Sequence, residues 1–195
     1  MAALEISAGF VILGIIVIVL FFVIAIYNGL ISLRNNIDKA WANIDVLLKK
    51  RLDLIPNLVE LVKGYATYER SVLEEITKIR ATAMQAQAIP EKAKGSEAIS
   101  ASLGSVFALA ENYPNLKASE NFLHLQKELS TIETQIAQRR EFYNDSVLLY
   151  NTNIKTIPSV YLADWLRYTP REYFRVEGDV GTPLKIDIEV PEKTV

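Results

Sequence analysis

The chain has 195 residues, a formal net charge of −2, no cysteine and a single histidine. The missing cysteine excludes disulfides, a thiolate nucleophile and Cys-ligated zinc or iron–sulfur sites, and the mixed charge gives no electrostatic footprint for nucleic acid. Half of the residues are hydrophobic, and they are unevenly spread.

No charged side chain lies between Glu5 and Arg34. The core of this stretch, Ile6 to Ile26, is 21 residues long and makes a helix of about 32 Å, matching a hydrocarbon layer of roughly 30 Å. A signal peptide fits poorly: no Lys or Arg precedes the run, the run is too long, and no small-residue cleavage pattern precedes Tyr27. Residues 1–27 are therefore read as an N-terminal segment with one transmembrane helix. Lys and Arg on the C-terminal flank (Arg34, Lys39, Lys49, Lys50, Arg51) and none before the span predict the N-terminus outside and the body in the cytoplasm.

Leu30, Leu33, Ile37, Trp41, Ile44 and Leu48 recur at steps of three and four, which predicts an amphipathic helix continuing from the span. Ile55, Leu58, Val62, Tyr65, Val72, Ile76, Ile79 and Ala83 continue in phase. One helix kinked at Pro56 and two helices separated there both give this pattern. The polar cluster 49–53 and the clash of the proline ring with the Leu52 carbonyl favour chain reversal at Leu52 to Ile55. Pro90 and Gly95-Ser96 predict a loop, followed by a third helix from about Ser96 to Asn112 and a turn at Tyr113-Pro114-Asn115. The fourth helix follows Ser119, a plausible N-cap, and carries Phe122, Leu125, Leu129, Ile132, Ile136, Tyr143, Val147, Tyr150, Ile154 and Ile157. It spans roughly 57 Å. Four amphipathic helices with short connections predict an all-α body, residues 28–158, folded as an antiparallel four-helix bundle. In that arrangement the fourth helix ends beside the bilayer.

Residues 159–177 carry Tyr161, Trp165 and Tyr168 among leucines, which predicts an aromatic membrane-proximal segment at the headgroup level. A cap on the open end of the core is equally compatible. Residues 178–195 alternate at Leu184, Ile186, Ile188 and Val190, the period of a strand, so an extended tail is expected; it either pairs with a second copy or stays an arm.

Tyr27-Asn28-Gly29-Leu30, Leu33-Arg34-Asn35, Ala40-Trp41-Ala42-Asn43-Ile44-Asp45-Val46, Arg51 to Val59 with Asp53, Pro56 and Asn57, Lys63-Gly64-Tyr65, Tyr113 to Ala118, and Arg140 to Pro158 with Tyr143-Asn144 and Tyr150-Asn151 resemble the LemA family. The likeness covers about residues 25–160 in order. It implies a bacterial inner-membrane protein with one N-terminal span and an antiparallel four-helix bundle, in a family similar to proteins of magnetosome membrane formation. The family supplies no catalytic residue. After Pro158 the sequence departs from the family pattern.

No motif announces chemistry. His124, at the edge of the fourth stripe, reads as structural, and Glu74-Glu75 and Glu133 with Glu141 read as solvated faces rather than acid–base pairs. Arg51 and Arg139 fall on otherwise apolar stripes, which predicts ion-paired polar layers. No catalytic, metal or cofactor residue is expected. The expected function is a non-enzymatic, homo-oligomeric scaffold that organises membrane lipid. The alternative is an adaptor or regulator of another membrane protein, such as a peptidase or transporter.

Overall fold

A computed structural model of the chain describes residues 2–66 and 69–175. They form helices α1 (Ala2–Lys63), α2 (Arg70–Gln85), α3 (Ile89–Ala110), α4 (Pro114–Lys117), α5 (Glu120–Asn153) and α6 (Ser159–Trp165), with no strand among the described residues. The alternating tail lies outside them.

The reversal expected at 52–55 does not occur; α1 runs unbroken through Pro56 to Lys63. A proline inside a helix leaves the carbonyl four residues earlier without its N–H donor. Here that carbonyl belongs to Leu52, and the Arg80 Nε of α2 donates to it at 2.7 Å. A side chain from the returning helix thus supplies the hydrogen bond that Pro56 removes. The chain turns instead after Lys63, where the Gly64 and Tyr65 N–H groups close short turns onto the Leu61 and Val62 carbonyls.

Pro90 also acts differently from the loop expected around it. It sits in the first turn of α3, where an N–H would have no helical partner anyway. The Glu91 carboxylate accepts from the Gln87 and Ala88 N–H groups. α3 therefore starts at Ile89 rather than near Ser96. Gly95 lies inside it against Ala83 of α2, where a Cβ would come within 3.2 Å of the Ala83 Cβ. The Ala-rich run of α2 and this glycine let the two helices approach closely. Ser119 occupies the N-cap position of α5, but its hydroxyl makes no capping bond.

Cross-helix pairs give the directions. Lys50 and Arg51 of α1 meet Glu128 and Glu133 of α5, while Asp38 meets Arg171, well beyond the end of α5, so α5 is antiparallel to α1. Arg80 meets Leu52 while Leu73 and Ile76 pack with Val62, so α2 also returns. Lys92 meets Asp45 and Ser96 meets Arg51, so α3 runs with α1.

Two cores lie along α1. The far core gathers Ile55, Leu58 and Val62 of α1 with Leu73 and Ile76 of α2, Ile99, Leu103 and Val106 of α3, Leu116 of α4, and Phe122 and Leu129 of α5. The near core joins Leu30, Ile37, Ala40, Ile44 and Leu48 to Ile132, Ile136, Tyr143, Val147, Tyr150 and Ile154 of α5. α3 reaches only the edge of this second core, through Ala93 and Ile89. Ala163 of α6 and Phe174 complete it. Side chains 12–25 of α1 make no such packing and are all exposed.

Candidate functional site

Three constellations stand out: a buried arginine, an extended strap laid on α5, and the outer face of α6.

Arg51 is the largest fully buried side chain, 1% exposed. Its Nη1 donates to Ser100 Oγ at 3.0 Å and to Glu133, and its Nη2 donates to the Ser96 carbonyl and to Ser96 Oγ. Ser100 Oγ in turn donates to Glu133 at 2.7 Å. Burial lowers the Arg51 pKa and Glu133 opposes that shift. At Arg51 a buried ion pair thus joins α1 to α5. The partner is Glu133, which the sequence suggests only as a solvated face. Arg139 does not join it. It lies on the exposed side of α5, because the buried stripe steps from Ile136 directly to Tyr143. A cavity of about 280 Å³ adjoins Arg51, bordered by Asp45, Lys49, Asp53 and Lys92 over apolar walls that include Leu48 and Ile99. Lys92 is spent on Asp45 and lies 5.3 Å above the Trp41 ring.

The second constellation explains two of the motif residues. The segment after α6 runs back along α5, antiparallel to it, and is held by side chains seven residues apart. Asn151 Nδ2 donates to the Arg171 carbonyl and Asn151 Oδ1 accepts from the Arg171 N–H. Asn144 makes the same reciprocal pair with Phe174. Tyr150 and Tyr143 hydroxyls donate to the Thr169 and Glu172 carbonyls. Seven helical residues rise about 10.5 Å and three extended residues about 10 Å, so the two repeats stay in step. Each asparagine thus satisfies a backbone N–H and C=O as a neighbouring strand would. Phe174 is buried against Trp41, with ring centroids 5.7 Å apart, and Trp41 meets Tyr143 at 5.6 Å. Burial pushes the Tyr143 hydroxyl up to about 12, although Arg171 nearby acts the other way. Sequence spacing carried this signal in Tyr143-Asn144 and Tyr150-Asn151; what it lacked was the segment they hold.

The remaining motif residues are positional. Asp53, Pro56 and Asn57 are exposed on α1, and Tyr113 and Pro114 open α4, with Tyr113 half-buried on the far core. His124 is exposed on α5. Among the described residues no group of three His, Asp or Glu side chains could hold a metal ion.

On α6 the aromatics divide. Tyr161 and Trp165 are 71% and 79% exposed, in line with exposed Ile157. Tyr168 instead turns inward, 6.5 Å from the Tyr150 ring, because the chain reverses direction at Arg167, which has φ 55°. Among its described residues, 159–175, the aromatics therefore do not share one face: α6 closes the near core with Ala163 while Tyr161 and Trp165 point outward.

The LemA family model matches residues 40–187. The chain belongs to the LemA family. It is 26% identical to magnetosome protein MamQ of Magnetospirillum gryphiswaldense and to MamQ 1 of Paramagnetospirillum magneticum, over 81% of this chain and 68% of theirs. It is 27% identical to the protein LemA of Metamycoplasma hominis, over 66% of this chain and 59% of that protein. The matched region contains Arg51, its partner Glu133 and the whole strap ladder. The apolar start of α1, long enough to cross a membrane, precedes it.

Proposed function

We propose that this LemA-family chain is a non-enzymatic, single-pass membrane protein whose cytoplasmic body, an antiparallel four-helix bundle, assembles into a homo-oligomer that organises the inner bacterial membrane. The observation that carries this reading is the seamless passage of α1 from an exposed apolar stretch into the near core. The body is thereby joined stiffly to the bilayer. α6 packs on the same part of α1, where Tyr161 and Trp165 face the headgroup layer. The buried ionic layer at Arg51 serves helix register within the body.

Size in mild detergent tests the proposal. A scaffold runs as a large symmetric assembly of one chain, and a species of monomer size at all concentrations overturns it. A second reading, an adaptor for another membrane protein, is favoured by Phe142 and Leu149, two large apolar side chains exposed one heptad apart on α5. An adaptor stays small until its partner is added, and a Phe142→Ser, Leu149→Ser variant then fails to bind that partner.

A further inference from the structure

The end of α6 carries a residue that packing does not account for. Arg167 N–H donates to the Asp164 carbonyl at 3.1 Å, and Tyr168 N–H to the Ala163 carbonyl at 2.9 Å. This is a Schellman turn with Arg167 at the left-handed position, φ 55°. Glycine is the usual occupant there, since a Cβ is crowded in that conformation. Here the position holds a long cation instead. Its side chain is exposed and makes no hydrogen bond or ion pair with the described residues.

The surroundings say what it meets. Arg167 lies two residues beyond Trp165, just past the end of a helix packed against α1, and Ala163 of that helix shares a core with Leu30, just past the apolar stretch. Arg34 and Lys155 are exposed at the same end, and Arg34 acts electrostatically on Tyr150. Between Ile6 and Ile37 of α1 and between Thr152 and Thr169 the only acidic residue is Asp164. This end is a basic rim continuous with the span, so lipid headgroups are what lies against it. A guanidinium matches a phosphate with two parallel hydrogen bonds.

We infer that Arg167, flanked by Arg34 and Lys155, binds the phosphate of anionic lipid headgroups beside Trp165. The inference rests on the interfacial placement of α6 proposed above, and the test separates the two. In a Trp41→Phe background Trp165 is the only tryptophan. The full chain is reconstituted in phosphatidylcholine vesicles, and Trp165 fluorescence is quenched by chain-brominated phosphatidylcholine or by chain-brominated phosphatidylglycerol. Quenching by both places α6 in the interface. Stronger association of the brominated phosphatidylglycerol is the result expected here, with Arg167→Gly lowering that association about fivefold while leaving phosphatidylcholine quenching unchanged. Arg167→Gly relieves the left-handed residue, so it melts no lower than its parent, and Arg167→Lys keeps most of the preference. Equal quenching by the two lipids, or a preference that survives Arg167→Gly, overturns the inference but leaves the interfacial placement standing. Loss of the preference on adding inorganic phosphate at constant ionic strength assigns the site to free phosphate and also overturns it. No quenching by either lipid overturns both.

Discussion

Removing Glu133 while leaving Arg51 in place tests the polar layer most directly. Arg51 has a side chain 1% exposed, whereas the Glu133 side chain is 45% exposed. Glu133→Ala leaves a buried guanidinium with hydrogen bonds to Ser96 and Ser100 but no countercharge. Breaking a fully buried pair costs about 3–5 kcal/mol. Because water reaches the Glu133 side, the lower end applies, about 3 kcal/mol. For a body of this size that lowers the melting temperature by roughly 6–12 °C. Arg51→Met removes the buried charge together with the need for a partner. Ser100 keeps its bond to Glu133, so the variant costs less than about 1 kcal/mol. Arg139→Leu, on the exposed face, stays within about 0.5 kcal/mol. Circular-dichroism melts of the three variants in one detergent give the comparison. If Arg51→Met proves more harmful than Glu133→Ala, the layer contributes attraction rather than a burdened charge, and the reasoning fails.

The Pro56–Arg80 pairing predicts a non-additive cycle: Arg80→Met costs about 1–3 kcal/mol in the parent, by orphaning the Leu52 carbonyl, and clearly less in a Pro56→Ala background where the helix supplies its own N–H. Asn151→Ala and Asn144→Ala each free one backbone pair of the strap, so hydrogen exchange at the Arg171 and Phe174 amides rises in the matching variant; unchanged protection at both sites refutes the ladder. Tyr143 ties stability to alkaline pH. Its folded pKa, about 12, lies above the ordinary value of 10, so its contribution is fully present below pH 10 and is lost as pH rises towards 12. The loss is on the order of 3 kcal/mol, and Tyr143→Phe flattens that part of the melting-versus-pH curve.

Elements defined by their own residues were readable in advance. The uncharged stretch and the stripes of α1 and α5 depend on spacing within a few positions, whereas the turn expected at 113–115 is the start of the short helix α4. What escaped depends on distant partners. Pro56 reads as a break because the donor that rescues the Leu52 carbonyl lies 28 positions away. Glu133 reads as solvated because the charge it answers is 82 positions upstream. The strap is recognised through its backbone, which leaves no pattern in its own sequence beyond Phe174. Arg139 shows the opposite error: a heptad-like position on α5 that the stripe simply skips.

The continuity of α1 has a mechanical consequence. Beyond Tyr27 it extends about 54 Å to Lys63, so a change of roughly 10° in the tilt of its lipid-embedded end sweeps the distal tip through about 9 Å. A change in tilt, one way a helix accommodates local bilayer thickness, is thereby converted into displacement far from the apolar end, with α2 and α3 riding at the moving end of the lever.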